Sequence, residues 1–258
     1  MAAGAASPRE RYRSQVRAEI KARAWEQIAT AGASGLSLNA IAKDLGMSGP
    51  ALYRYFGGRD DLITELVRDA YRSLADTFRA AADAGTGLSG LARAMRRWAL
   101  EDPQRYFLVY GTPVPGYRAP DDTTATAREI MAILLDVCAA EDAAGTPGST
   151  GVGAPRETEP APADALEAHL ADHRRWAGDH PAPPHVLRRA LAYWTRLHGV
   201  LSLELAGHFA GMGFDPEVLF TAEFEELTGS GRAGGRPYSP GSSRDHLARL
   251  TSARARGV

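Results

Sequence analysis

The sequence contains one cysteine, Cys138, among 258 residues. An intrachain disulfide and a metal site built on several cysteines are therefore excluded, and such sparse use of cysteine is typical of a reducing compartment. No apolar run reaches the roughly 18 residues of a membrane-spanning helix, and no apolar segment follows the N-terminal arginines as a secretory signal requires. We expect a cytoplasmic protein without a membrane partner.

β-Branched residues are also scarce, because Val and Ile together number 16 against 47 Ala and 25 Leu. Ala and Leu enter helices at little cost, whereas β-branched side chains pack best on pleated sheets. With 44% hydrophobic residues, the chain has the composition of a folded globular protein. The composition predicts an all-α fold.

The chain lacks an excess of positive charge, because 30 Lys and Arg face 31 Asp and Glu. This balance argues at first against a nucleic-acid partner. The charges are unevenly distributed, however, since residues 1–61 contain nine basic and six acidic side chains, which leaves +3 there and -4 on the remainder. A basic N-terminal region of this kind is compatible with nucleic-acid binding.

Apolar spacing and capping residues predict ten helices, with no internal repeat. Their predicted bounds are 11–30, 38–45, 49–56, 60–84, 88–100, 103–111, 123–140, 165–176, 184–210 and 216–227. Residues 141–163 and 230–258 are rich in Gly, Pro and polar side chains. This composition predicts a flexible loop and a mostly disordered tail.

The sharpest local signal is the segment from residue 38 to residue 62, which reads LNAIAKDLGMSGPALYRYFGGRDDL. Two short predicted helices are joined there by a turn that contains Gly46, as in a helix-turn-helix motif. The second helix of such a motif fits the major groove of DNA, which is about 12 Å wide. The face predicted to turn inward consists of Ile41, Leu45, Met47, Leu52 and Phe56.

This segment resembles the DNA-binding domain of TetR-type transcriptional regulators over residues 12–62. The resemblance rests on Ala42, Leu45-Gly46, Leu52-Tyr53, Tyr55-Phe56, Arg59 and Leu62. Further along, Tyr193-Trp194 and His198-Gly199 resemble the Trp-His-Gly (WHG) signature of one class of TetR C-terminal domains. The resemblance implies an all-α homodimer, with a three-helix helix-turn-helix domain in residues 1–62 and a helical ligand-binding and dimerisation domain in residues 63–229.

The resemblance also assigns DNA contacts by position. Ser37 and Ser48 begin helices whose first N–H groups attract phosphates, while Arg54 is the candidate for a guanine edge. Ala51 departs from the family, which frequently has Thr there. A hydroxyl contact to a phosphate is lost, but the Ala51 methyl group can still contact a thymine methyl. The set predicted to contact DNA is Ser37, Asn39, Ser48, Gly49, Pro50, Ala51, Tyr53, Arg54, Tyr55 and Arg59.

Two alternatives concern the side chains around this motif. Tyr53 and Tyr55 are two apart and cannot both face inward on a helix, so at least one is exposed. The N-terminal arginines form either a solvated face or an arm that follows phosphates or the minor groove, and we favour the arm. These arginines are Arg9, Arg11, Arg13 and Arg17.

A small-molecule site in the C-terminal domain should be lined by apolar and aromatic side chains with a few polar ones. Trp194 and His198 are four apart and share one face of a helix. Each candidate taken singly is more readily explained as part of the core. The predicted ligand-binding residues are Trp98, Tyr106, Phe107, Tyr110, Met131, Leu134, Trp194 and His198.

The last two predicted helices suit a homodimer interface in which two helices from each subunit form a four-helix bundle. A twofold dimer implies a near-palindromic double-stranded DNA operator, with recognition helices about 34–36 Å apart. We expect a small-molecule effector to move the helix over residues 60–84 as a lever and so to change this separation. The predicted function is that of a ligand-responsive transcriptional repressor.

No catalytic constellation, metal-ligand set or cofactor motif stands out. The glycines around residues 145–153 lack a Walker lysine, and no serine lies in a G-x-S-x-G context. We therefore expect neither catalysis nor a cofactor. The alternative function is a helical ligand-binding or scaffold protein without specific DNA binding, and an all-α enzyme ranks third.

Overall fold

The structure is a computed structural model that describes residues 7–111, 114, 116–117, 120–145 and 162–228. Within these residues the chain is helical, with ten α-helices and two short 3-10 turns, and contains no strand. The all-α prediction is confirmed. The predicted tail over residues 230–258 lies outside the described residues.

The helices follow the predicted order, and most of their bounds agree with the prediction to within a few residues. Asp102 begins α6 as predicted, because its side chain accepts a hydrogen bond from the backbone N–H of Arg105. In chain order the helices are α1 Pro8–Ala31, α2 Leu38–Asp44, α3 Gly49–Tyr53, α4 Arg59–Asp83, α5 Gly87–Glu101, α6 Pro103–Tyr110, α7 Asp121–Ala144, α8 Pro162–Asp172, α9 Pro184–Leu205 and α10 Pro216–Thr228.

Two hydrophobic cores organise these helices, and α4 contributes to both. Its first half buries Leu62 and Leu66 together with apolar residues of α1, α2 and α3. Its second half buries Leu74 and Phe78 in a larger core built mainly with α5, α7 and α9. The half-buried ring of Tyr71 packs against both cores. Helix α4 is therefore the rigid connection between the N-terminal and C-terminal parts.

The N-terminal arginines Arg9, Arg11, Arg13 and Arg17 lie in the first part of α1. Ser7 caps this helix, since its hydroxyl accepts from the backbone N–H of Glu10 while the Glu10 carboxylate accepts from the N–H of Ser7. Pro8 fits the first turn because its missing N–H would have no helical partner there. The described arginines of this region therefore project from a helix, and their role in following phosphates or the minor groove stays a prediction.

Arg17 in particular is half-buried and contacts other elements of the N-terminal domain. Its guanidinium donates to the backbone oxygen of Tyr55 at 2.5 Å and to the Glu65 carboxylate at 3.1 Å. It also lies 4.2 Å from the centroid of the Phe56 ring, where a cation is attracted to the face of the ring. Arg17 thus ties α1 to the end of the helix-turn-helix segment and to α4.

The predicted flexible loop over residues 141–163 is wrong at both ends. Helix α7 continues to Ala144 and α8 begins at Pro162, while residues 146–161 lie outside the described part of the chain. Glu141 is a structural residue, because its carboxylate accepts from the backbone N–H of Leu88 at 2.7 Å and from Arg189 at 2.7 Å. It thereby caps the start of α5 and joins α5, α7 and α9.

Helices α8 and α9 end earlier than predicted. Helix α8 ends at Asp172, and a 3-10 turn covers Arg175–Ala177. Helix α9 ends at Leu205, and residues 206–215 form a connection to α10. Three glycines of this connection have positive φ, including Gly207 at 76° directly after the helix cap. Only glycine adopts this conformation at little cost, which explains why α9 ends there.

We predict that Arg17→Ala destabilises the protein by about 1–3 kcal/mol, because it removes two charge-assisted hydrogen bonds and a cation–ring contact. Urea unfolding followed by circular dichroism measures the change. The control is Arg23→Ala, which removes an exposed pair with Glu26 within the same helix. Its loss should stay below about 0.5 kcal/mol. Equal losses in the two variants would contradict the tie assigned to Arg17.

Candidate functional site

The turn between α2 and α3 is held by backbone hydrogen bonds that explain its sequence. Gly46 has φ 63°, and its N–H donates to the oxygen of Lys43 at 3.1 Å. The N–H of Met47 donates to the oxygen of Ala42 at 2.8 Å. These bonds end α2 in a left-handed turn that glycine adopts at little cost. The turn directs the chain into α3 after only a few residues.

The start of α2 is capped as predicted. The hydroxyl of Ser37 accepts from the N–H of Ala40 at 3.3 Å, and the N–H of Ser37 donates to the Gln27 side chain at 2.9 Å. Sequence reasoning missed Gln27, since nothing local distinguishes it from a solvated residue of α1. Ser48 precedes α3, but its side chain makes no capping hydrogen bond. The exposed Ser48 hydroxyl is therefore left at a helix N-terminus.

The inward face of the motif is the predicted one. Ile41, Leu52 and Phe56 are each fully buried, while Leu45 and Met47 are half-buried against the same core. The expectation that Phe56 is a core residue is confirmed. These contacts fix α2 and α3 relative to α1 and α4, so that the opposite face of α3 has a defined position.

The structure distinguishes Tyr53, the last residue of α3, from Tyr55, which follows the helix. Tyr53 is 48% exposed, whereas Tyr55 is half-buried and packs against the core of the N-terminal part. Arg54 follows α3 and is exposed. Tyr53 and Arg54 are therefore the larger side chains that the end of α3 presents to a partner.

The starts of α2 and α3 lie next to each other. A Cβ atom added at Gly49 would lie 3.9 Å from Oδ1 of Asn39. Asn39, Ser48 and Pro50 are exposed, and Gly49 and Ala51 are half-buried. Two helix N-termini, with their partial positive charge, are thus brought together on one face. We call this face the reading face, and define it by Asn39, Ser48, Gly49, Pro50, Ala51, Tyr53 and Arg54.

Arg59 makes contacts within the N-terminal domain that the sequence did not predict. Its guanidinium donates to the backbone oxygens of Ala33 at 2.8 Å and Ser34 at 3.4 Å, and lies 3.6 Å from the Asp60 carboxylate. It therefore holds the turn after α1 against the start of α4. A contact between Arg59 and a phosphate stays a prediction, and such a contact would have to coexist with these bonds.

In the C-terminal part, the structure brings four of the eight predicted ligand residues together. We call Tyr106, Tyr110, Trp194 and His198 the aromatic cluster. The His198 ring lies 4.2 Å from that of Tyr110, 4.3 Å from that of Trp194 and 5.7 Å from that of Tyr106, measured between centroids. Helix α6 supplies the two tyrosines and α9 the other two residues.

Hydrogen bonds fix one side of the His198 ring. The Tyr106 hydroxyl lies 2.9 Å from Nδ1 of His198 and 2.9 Å from the Ser202 hydroxyl. Nε2 of His198 is buried and has no hydrogen-bond partner within the described residues. Ser202 was not predicted, although it lies four residues after His198 and therefore on the same helix face.

Burial drives the titratable groups of the aromatic cluster toward their uncharged forms. It lowers the pKa of His198 to about 4 from the usual 6.5. It raises the pKa of Tyr106 above its ordinary value and raises that of Tyr110 well above it. The imidazole is therefore neutral at physiological pH, and the cluster disfavours charge.

The other four predicted ligand residues have different surroundings. Phe107 packs against the Tyr106 ring at 5.6 Å. Trp98 donates to the Ser73 hydroxyl at 3.0 Å and is covered by the guanidinium of Arg105. It also lines an open cleft of about 520 Å³ between α4 and α5. The core contains the remaining pair, with Met131 half-buried and Leu134 fully buried.

Helix α6 and the chain after it connect the aromatic cluster to α4. The rings of Tyr110 and Tyr71 meet edge to face at 6.1 Å. Nearer the start of α4, the hydroxyls of Tyr117 and Thr64 lie 3.2 Å apart, and Thr64 donates to the backbone oxygen of Asp60. The cluster and the N-terminal domain are therefore linked by direct contacts with one helix.

Comparison with known proteins assigns both parts of the chain. Residues 20–66 match the sequence model of a family described as bacterial regulatory proteins, tetR family. Residues 88–227, more than half of the chain, match a domain described as tetracyclin repressor-like, C-terminal domain. The first match contains the whole reading face, and the second contains the whole aromatic cluster.

Relatives and solved structures agree with these matches. The HTH-type transcriptional regulators Rv1816 of Mycobacterium tuberculosis and Mb1846 of Mycobacterium bovis are each 38% identical to the chain, over 82% of this chain and 90% of theirs. The crystal structure of SCO4313, described as a regulatory protein, is 64% identical with a TM-score of 0.74, over 86% of this chain and 100% of that one. A protein from Rhodococcus sp. RHA1 shares the fold at a TM-score of 0.60 and 21% identity, over 83% and 94% of the two chains.

We predict a pH dependence of stability from His198. The folded-state pKa of about 4 lies below the unfolded value, so the unfolded chain binds the proton first as the pH falls. The contribution of His198 to stability is therefore complete above about pH 6.5 and is lost toward pH 4, by about 2–3 kcal/mol. Urea unfolding at neutral pH and near pH 5 measures this loss at a fixed protein concentration.

The variant that tests this assignment is His198→Phe, which keeps an aromatic ring but removes the titrating group. Its stability should fall by about 2 kcal/mol less than that of the wild type between the two pH values. His208→Phe, at an exposed histidine, serves as the control and should retain the slope of the wild type. The assignment to His198 is wrong if both variants retain that slope.

Proposed function

Because this chain belongs to the TetR family of bacterial regulatory proteins and carries its helix-turn-helix domain, we propose that it is a ligand-responsive repressor. It binds a near-palindromic operator as a homodimer and releases it when a small molecule occupies the aromatic cluster. The observation that carries the proposal is that α4 packs into both hydrophobic cores. A displacement at one site therefore acts on the element that positions the other.

The reading face supports DNA binding in two ways. The adjoining N-termini of α2 and α3 attract phosphates and set the orientation of the domain. The exposed guanidinium of Arg54 is able to donate two hydrogen bonds to a guanine edge, which is the commonest specific contact in the major groove. The Tyr53 hydroxyl suits a phosphate or sugar. Ser37, whose hydroxyl caps α2, and the half-buried Tyr55 contribute less in this proposal.

The outer face of α9 supports dimerisation. Ala192, Thr195, Gly199 and Leu203 are exposed at spacings of three or four residues, which places them on one stripe. On α10, Val218 is 66% exposed. A glycine inside a helix costs about 1 kcal/mol relative to alanine. A Cβ atom at Gly199 would meet no other atom of the protomer within 4 Å, so a closely packed helix of a second subunit is a natural reason for it.

The proposed switch is a movement of α4. In a twofold dimer the two reading faces must enter grooves about 34–36 Å apart at the same time. An effector that displaces Tyr110 presses on Tyr71, and the Tyr117 and Thr64 pair transmits movement of the α6–α7 connection to the start of α4. The effector lowers the affinity for DNA by at most the factor by which it binds the displaced state more tightly than the DNA-binding state.

The proposal contains no catalytic step and no cofactor. Members of this family regulate transcription, and none of the described helices is long and apolar enough to cross a membrane. A regulator of this type acts where the chromosome is, so we retain the expectation of a cytoplasmic protein.

We predict that selection from random duplexes by the wild-type protein enriches a near-palindrome, and that binding to it weakens steeply with salt. Arg54→Ala should weaken operator binding by about 1–3 kcal/mol and relax specificity at one base pair of each half-site. The control is Arg79→Ala, which removes an exposed arginine from the far half of α4 and should leave affinity unchanged. Fluorescence anisotropy measures both.

Two results would contradict this prediction. If no duplex is preferred over competitor DNA, the chain is better explained as a ligand-binding or scaffold protein. If Arg54→Ala and Arg79→Ala lose the same affinity, the reading face is misassigned even though the protein binds DNA.

We predict that Leu203→Arg weakens the dimer at least about tenfold, because an arginine buried without a partner at an interface costs well over 1.4 kcal/mol. The control is Leu166→Arg on α8, where the leucine is 43% exposed compared with 45% for Leu203. This control should remain dimeric. Sedimentation velocity over a concentration series measures both constants, and equal behaviour of the two variants would place the interface elsewhere.

A further inference from the structure

His198 presents one hydrogen-bonding atom that the described part of the chain does not satisfy. Its Nδ1 is occupied by the Tyr106 hydroxyl at 2.9 Å, while Nε2 is buried without a partner. In one neutral tautomer Nε2 is an unused donor, and in the other it is an unused acceptor. Most buried polar atoms in proteins are paired, and an exception calls for a physical reason.

The surroundings of the His198 ring are aromatic on several sides. Rings of Tyr110 and Trp194 approach the His198 ring within 4.3 Å between centroids. Phe78 packs against Trp194 from α4 at 6.3 Å. Side chains of this kind favour a flat apolar molecule that packs against their faces and edges.

No charged side chain is among the hydrogen-bond and ring partners of the aromatic cluster in the described residues. In the described residues, the side-chain hydrogen bonds and ring contacts of the aromatic cluster are made with Tyr, Phe, Trp, His and Ser side chains. An ionised molecule would lose its hydration here without gaining a counter-ion, which is costly. The depressed pKa of His198 points the same way, because a positive charge on the ring is disfavoured.

We propose that the effector is an uncharged, ring-containing molecule that makes a single hydrogen bond with Nε2 of His198. This inference rests on the proposed function and specifies the chemistry of its ligand. A polar group of the molecule forms a hydrogen bond with Nε2. The ring of the molecule packs against the aromatic side chains and replaces some of the contacts that they make with one another.

The same contacts explain why such a molecule would act on α4. The rings of the aromatic cluster already touch one another, so a ligand that reaches Nε2 has to part them. Tyr110 lies between His198 and Tyr71, at 4.2 Å and 6.1 Å. Displacing Tyr110 therefore alters the packing of Tyr71, which belongs to α4 and contacts both cores.

The test uses four probes of one shape: 2-naphthol, naphthalene, 2-naphthoate and 2-naphthylmethylammonium. Each is titrated into the full-length protein near neutral pH by calorimetry, and the same titrations are repeated on the operator complex. Naphthol supplies both a donor and an acceptor, so it suits either tautomer of His198. We expect it to bind at least about fivefold more tightly than naphthalene and at least about tenfold more tightly than either ion.

Two variants identify the atom involved. His198→Phe keeps the ring and removes the nitrogen, and it should bind naphthol no more tightly than naphthalene. His208→Phe changes an exposed histidine outside the aromatic cluster, and it should retain the preference for naphthol. Thermal unfolding of each variant confirms that it is folded before titration.

Several results would overturn the proposal: no binding of any probe, an ion that binds as tightly as naphthol, or an undiminished naphthol preference in His198→Phe. Each of these leaves operator binding to be judged separately by the random-duplex selection. If naphthol binds as described but does not release the operator, the ligand chemistry stands and the proposed switch fails. If the wild type binds no specific DNA, the proposed repressor function is wrong, while the four naphthalene-based probes still test the class of ligand.

Discussion

Helix α4 is shared between two hydrophobic cores, and the positions of both the reading face and the aromatic cluster depend on it. Leu62 and Leu66 lie in the core that supports the reading face, whereas Leu74 and Phe78 lie in the core that surrounds the aromatic cluster. Side chains packed at the density of a protein interior cannot slide by small continuous amounts. In the proposed switch, a change at one end of α4 is accommodated by moving the helix as a body.

Polar ties decide which parts move with α4. Arg17 and Lys21 on α1 pair with Glu65 and Asp69, one turn apart on α4, so α1 is fastened along the helix. Arg59 holds the turn after α1 at the start of α4. These contacts fasten the N-terminal domain to α4, and in the proposed switch the domain moves with α4 as one unit.

Local sequence signals predicted much of this fold because capping, turn chemistry and apolar spacing act within a few residues. Ser37, Gly46 and Asp102 are examples. The roles of Arg17 and Glu141 could not be predicted in this way, since their partners lie 48 and 53 residues away in the chain. An arginine on a solvated face and one that ties two helices look alike until tertiary packing places the partner. All four residues of the aromatic cluster were among the predicted ligand residues, but spacing paired only Trp194 with His198, and tertiary packing brought α6 to them.

The unpaired nitrogen of His198 has an energetic consequence for the proposed switch. A buried polar atom without a partner costs about 1–3 kcal/mol, and this is also the usual size of an allosteric coupling free energy. Satisfying that atom contributes to affinity in any state that admits the ligand. It contributes to coupling only to the extent that the parted rings are incompatible with the position that α4 takes on DNA. The contact between Tyr110 and Tyr71 therefore matters as much as Nε2, because it converts occupancy of the cluster into a preference for one position of the lever.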